Sequence, residues 1–371
     1  MCILLVVMWH VITKDYLQIS WRLPAPVPGF WGAFGDQLLP LLMPVFFTIS
    51  GLFAADAVRR SWKIAARGRI AKFYYLYVLW FTVHTAVLSM VPQFDTRAAR
   101  STAGLVEQLT ITPAGLWYLE ALALYFAVAK LTRSAPAAAV LVPAFLLSAT
   151  ASAGLLAAPG NRGQLYQNLF FFLAGLRLKP WVERWARTAT PRLLLAGGAG
   201  YLVVMLALRQ FGAAQWFGVW PVVSTLAVMV GIAGAVQLRR WVPVGGLLAR
   251  LGRNTLPIYL MHLPLLALLH AALLKPFSAA PTVIQLPLAV VLPIVLTGLL
   301  AAVCLTLRGW LQAAGGHWLF DLPDPRPHEV AAAGAAREVE VTAASPWDDN
   351  LPTMLLPLVK SARRARPKST R

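Results

Sequence analysis

Ionisable side chains inside apolar runs are the residues here with most chemistry to offer. His10 closes the run that begins at Ile3, and His84, Glu120 and His262 each lie within a further apolar stretch. Such groups are costly at membrane depth, which makes them functional candidates by default. Imidazole titrates near neutral pH, so His10 and His262 suit proton transfer from a hydroxyl. Glu120 could serve as the carboxylate that orients His10. A second constellation is cationic. Arg67, Arg69 and Lys72 run into the aromatic stretch Phe73-Tyr74-Tyr75, and charges so grouped suit phosphate oxygens. Each has a plainer reading. His84 and His270 read as packing histidines, and the cations also read as topology signals. No two of these histidines share a helix face at metal-ligand spacing, so no metal site is expected.

The elements that must position these groups follow from composition. Of the 371 residues 58% are hydrophobic and 13% charged, and the mean hydropathy is +0.65. Soluble domains carry about 25% charged residues. This excludes a soluble enzyme, a disordered chain and a disulfide-stapled domain. Cys2 and Cys304 lie far apart in apolar runs and read as buried thiols. Apolar spans fall near 1–12, 37–57, 71–92, 114–130, 136–158, 165–178, 193–208, 217–238, 255–274 and 284–307. The expected fold is all-α, an integral membrane protein of about ten transmembrane helices. Starting inside, the first internal loop carries Arg59, Arg60, Lys63, Arg67, Arg69 and Lys72; the third carries Arg177, Lys179, Arg184, Arg187 and Arg192. Every internal loop except the second outweighs its external neighbours in cations, as topology requires. Both termini are then cytoplasmic. The net charge of +19 therefore speaks of orientation and anionic membrane lipids, not of nucleic acid.

The first span is short. Residues 1–12 reach about 18 Å against a hydrocarbon core of about 30 Å. With no basic leader and no cleavage site it is not a signal peptide. The expectation is a truncated first helix whose natural start lies upstream. From Asp321 the chain turns Pro-rich, then alanine-rich and acidic, then basic. The expected organisation is a membrane domain over 1–310 and a disordered cytoplasmic tail over 311–371.

Five segments occur in a telling order. They are Ile3–His10; Met43-Pro44-Val45-Phe46-Phe47-Thr48-Ile49-Ser50-Gly51; Arg67–Tyr75; Leu116-Trp117-Tyr118-Leu119; and Leu251–His262, which contains Arg253-Asn254-Thr255-Leu256-Pro257. On a ten-span plan they make residues 1–310 resemble the acyltransferase-3 family of integral membrane O-acyltransferases.

The resemblance implies an acyl donor, acyl-coenzyme A and most often acetyl-coenzyme A, taken from the cytoplasm as co-substrate rather than as a permanently bound cofactor. It implies a hydroxyl acceptor on a cell-envelope or secreted carbohydrate or a glycolipid, and a multi-pass place in the inner (plasma) membrane. His10 matches the family's first-span histidine and would act as general base. The family's basic partner, eleven residues earlier, falls upstream of Met1. Arg69 and Lys72 match a basic pair three apart, with lysine where arginine is usual; the charge stays but bidentate geometry is lost. Arg67, Arg69 and Lys72 would hold the donor. Arg253 and Asn254 would line its entrance, or Asn254 would cap a helix. Trp117 and Tyr118 would stack on a sugar or sit as interfacial aromatics. His262 fits a late family histidine. Ser50 and Gly51 let helices approach. A transporter or flippase of a lipid-linked sugar, or a membrane scaffold, remains an alternative.

Overall fold

The computed structural model describes residues 2–23, 26–94, 101–110 and 115–323. Every regular element among them is helical. In chain order they are α1 (Cys2–Lys14), α2 (Val27–Arg59), α3 (Trp62–Ala65), α4 (Lys72–Ser89), α5 (Thr102–Thr110), α6 (Trp117–Leu131) and α7 (Ala137–Ser152). Then come α8 (Arg162–Arg177), α9 (Lys179–Thr188), α10 (Pro191–Gln210), α11 (Val219–Arg240), α12 (Val242–Arg253), α13 (Thr255–Ala279) and α14 (Thr282–Ala313). Five are long and apolar enough to cross a membrane: α2, α10, α11, α13 and α14. The other five expected spans coincide with α1, α4, α6, α7 and α8, which are shorter or less apolar.

Some boundaries differ from the sequence expectation. Helix α2 begins at Val27 rather than near 37. Gly29, Gly32, Gly35 and Asp36 dilute its hydropathy, yet Trp31 is buried and continues the packed face. Helix α5 falls in a stretch expected to be a loop, and the Tyr77 hydroxyl donates to its Gln108 carbonyl at 2.9 Å. The expected domain boundary at 310 lies inside α14. The compact unit runs on to Leu322, because a 3-10 turn at Gly316–Leu319 folds back on α4. There Trp80 Nε1 donates to the Leu319 carbonyl at 2.6 Å, and Phe320 is buried beside the Trp80 ring. The expected disordered tail from 324 onward lies outside the described residues.

Two features hold the bundle. At the α2–α8 crossing Gly51 and Gly175 bring backbones together. A Cβ at Gly51 would collide with the Phe172 carbonyl, and one at Gly175 with the Thr48 carbonyl. Small residues permit such approaches where helices have no hydrophobic drive to associate. The second feature is proline. Pro264 lies inside α13 and Pro293 inside α14, and each lacks the N–H that would bond the carbonyl four residues earlier. With no water in the hydrocarbon, that carbonyl needs another donor. For Leu260 the donor is His84 Nε2 of α4, at 2.7 Å. For Ala289 there are two: the Tyr16 hydroxyl at 2.8 Å and Trp31 Nε1 at 3.0 Å. The prolines thus tie α4 to α13, and both α2 and the turn after α1 to α14.

Either Tyr16→Phe or Trp31→Phe leaves the Ala289 carbonyl one donor, whereas the double variant leaves none. Thermal unfolding in detergent should show the double losing about 1–3 kcal/mol beyond the sum of the singles. Simple additivity would show that the carbonyl has found a further partner.

Candidate active site

The structure brings His10 and His262 together. Their ring centroids are 5.0 Å apart, inclined at 62°. The two residues come from α1 and α13, 252 positions apart in sequence, and both helices are apolar around them. Each imidazole has one nitrogen committed to its own helix. His10 Nδ1 lies 2.9 Å from the Val6 carbonyl. His262 Nδ1 lies 2.8 Å from the Tyr259 carbonyl and 3.1 Å from that of Ile258. A carbonyl oxygen only accepts, so Nδ1 carries the hydrogen, and in the neutral ring Nε2 carries the lone pair. Among the described residues no group bonds either Nε2, and that of His262 is buried. Two proton-accepting nitrogens therefore occupy one small region, with tautomers set by the helices that carry them.

Aromatic side chains wall this region. Trp9 packs edge-on to His10, and Tyr259 lies 5.9 Å from His262 between ring centroids. Tyr259 in turn meets Tyr118, whose hydroxyl is 2.8 Å from Ser50 Oγ. Trp117 and Tyr118 read in the sequence as stacking on a sugar or as interfacial aromatics. Both are buried, against Phe47 and, for Tyr118, also Phe46, because α6 turns this end into the core.

Glu120 does not orient His10. Its Oε1 lies 3.6 Å from Arg162 Nη2 at the start of α8. The place it would have filled is taken by the Val6 carbonyl. His84 is likewise a structural donor, held by the carbonyl that Pro264 frees, although it packs against the same turn of α13.

The cationic cluster lies at the start of α4. Arg67 and Arg69 sit on a widened π turn, Ala66–Ala71, an irregularity frequent at functional sites. Arg67 is exposed, whereas Arg69 and Lys72 are half-buried. Burial, and then the nearby Arg60, pull the Arg69 guanidinium below its ordinary value. It remains cationic at neutral pH, so the cluster is crowded with like charge that an anion would relieve. Lys72 already holds one anionic oxygen, Asp321 Oδ1 at 2.9 Å. Asn254 occupies the position before α13 but makes no capping bond. Its Oδ1 accepts from Arg308 of α14, and its Nδ2 donates to the Arg250 carbonyl at 2.8 Å. Arg253 beside it is exposed. Sequence reasoning left Arg308 among the tail cations, since nothing in its neighbourhood signals a partner 54 residues away.

A further polar pair was missed. Asp15 and His270 are both buried, with Oδ1 and Nδ1 2.8 Å apart. Asp15 was read only as the residue ending the first span, and His270 as packing. A carboxylate directly after an apolar run, facing a histidine in another, was the available signal.

One of three comparisons with known proteins places this arrangement. No curated protein and no solved structure matches the chain. A family model described as an acyltransferase domain, acyltransferase-3, matches residues 1–307, which takes in α1 with His10, the cationic cluster, and α13 with His262. The chain belongs to the acyltransferase-3 family and is a membrane acyltransferase.

Proposed function

We propose that this membrane acyltransferase moves an acyl group, acetyl or another short chain, from acyl-coenzyme A to a hydroxyl of a cell-envelope or secreted carbohydrate or glycolipid. The observation that carries the reading is the pair of imidazoles with uncommitted Nε2 atoms. His10 Nε2 takes the acceptor's proton as the hydroxyl oxygen attacks the thioester carbonyl. The carbon–sulfur bond breaks, and the proton passes to the departing thiolate. His262 stands where it can share that proton. Glu120, paired with Arg162, has no part in the step.

The donor's phosphates are assigned to Arg67, Arg69 and Lys72, with Arg253, Asn254 and Arg308 where α13 begins and meets α14. The carboxylate on Lys72 supports this, because an oxyanion of the donor can replace Asp321 there. On this reading the protein crosses the inner (plasma) membrane ten times, with both termini and the cationic cluster on the cytoplasmic side. Five helices long enough to cross and a further five at the remaining spans support that plan.

The test is the purified protein oriented in vesicles, given labelled acetyl-coenzyme A and the glycan fraction of a bacterial cell envelope. Label should pass covalently to glycan, and only when donor is supplied on the side carrying the loop 59–72. Movement of unmodified glycan across the bilayer without labelling would instead make the protein a transporter.

Removing charge at Arg69 and Lys72 together should weaken acetyl-coenzyme A binding by about 3 kcal/mol, on the order of a hundredfold in Kd, since each charged hydrogen bond contributes about 1.5–3 kcal/mol. Calorimetric titration measures this directly. Unchanged affinity would leave the cluster as a topology signal.

A further inference from the structure

Helix α1 itself has little with which to fix its height along α13; the turn after it is tied to α14 through Tyr16 and to the far end of α13 by the Ser20 N–H on Ser278 Oγ at 3.1 Å. From Cys2 to Trp9 it is wholly apolar, and Thr13 spends its hydroxyl on the Trp9 carbonyl of its own helix. In a membrane, apolar contacts between helices compete with equally apolar lipid, so they do not set an axial register. A single polar contact can, as one buried polar residue does in a coiled coil. The end of α1 supplies one. Asp15 follows Lys14 directly, its backbone N–H still bonds the Val11 carbonyl at 3.2 Å, and its carboxylate meets His270 on α13. Side-chain exposure is 0% for Asp15 and 3% for His270. Phe94 closes over the imidazole, with ring centroids 5.4 Å apart. His270 lies two turns along α13 from His262.

We infer that the Asp15–His270 pair is a positioning pair: it locks α1 to α13 at the register that brings His10 to His262. This rests on the acyl-transfer reading and adds two residues to it. Stability alone does not account for the pair. A buried ion pair gains little over apolar residues of similar volume, and such replacements are often neutral or stabilising. Geometry is what the apolar replacement would not preserve. The Nε2 atoms need their mutual placement for proton transfer, and a misplacement of about 1 Å costs on the order of a hundredfold in rate.

That difference defines the experiment. Wild type, Asp15→Leu/His270→Leu and His270→Asn are compared as full chains in vesicles, with labelled acetyl-coenzyme A and envelope glycan. The double leucine variant leaves no charge unpaired. It should bind acetyl-coenzyme A with unchanged stoichiometry and a KM within about twofold of wild type, while kcat falls about 10- to 100-fold. The amide of His270→Asn occupies the place of Nδ1 and still donates to Asp15, so it should restore most of kcat. A double variant with wild-type kcat overturns the positioning role and leaves the function standing. A double variant that no longer binds donor makes the pair a folding element and overturns the role too. Wild type that transfers no label overturns both.

Discussion

A polar group in hydrocarbon must find a partner within the protein, and that constraint organises this molecule. Proline makes it acute. Pro264 and Pro293 each free a carbonyl in the middle of a helix, and the side chains that answer are those that join helices: His84 to Leu260, and Tyr16 with Trp31 to Ala289. The same accounting marks the candidate active site by contrast. His10 and His262 satisfy one nitrogen each within their own helices and leave the other unbonded among the described residues, side by side. An unbonded acceptor in such surroundings is unfavourable in the resting protein. On the proposed reading, a hydroxyl arriving beside it meets a base without a competing donor.

This contrast separates three buried histidines that look alike in sequence. His84 bonds a carbonyl and His270 a carboxylate of another segment, whereas His262 spends Nδ1 on its own helix and stands beside His10. The cationic cluster works at another scale. Its residues stand at the start of α4, where the 3-10 turn after α14 brings Asp321 onto Lys72. The family match ends at 307, so this last contact is made by chain beyond the matched region.

Much of this was legible in the sequence. Hydropathy located a helix at each expected span, since about twenty apolar residues have few alternatives. Motif order named the family and pointed to His10, His262 and the cations. What periodicity could not supply was partnership. Glu120 seemed free to orient His10, but the α8 helix brings Arg162 to it. Trp117 and Tyr118 resembled interfacial aromatics, yet α6 buries them against α2. Asp15 looked like punctuation at the end of a span, and its partner lies 255 residues away. Contacts of that separation are set by tertiary packing; local pattern shows which groups need a partner but not which partner they find.

The central claim is that His10 Nε2 acts as the base. The most direct measurement is single-turnover transfer of label from acetyl-coenzyme A by His10→Ala, beside His10→Gln and with donor affinity measured on the same preparations. The account predicts that both variants bind donor as wild type does and that both lose transfer by at least about a hundredfold, since neither residue can accept the proton. Transfer near the wild-type rate in His10→Ala, with donor binding intact, would contradict it.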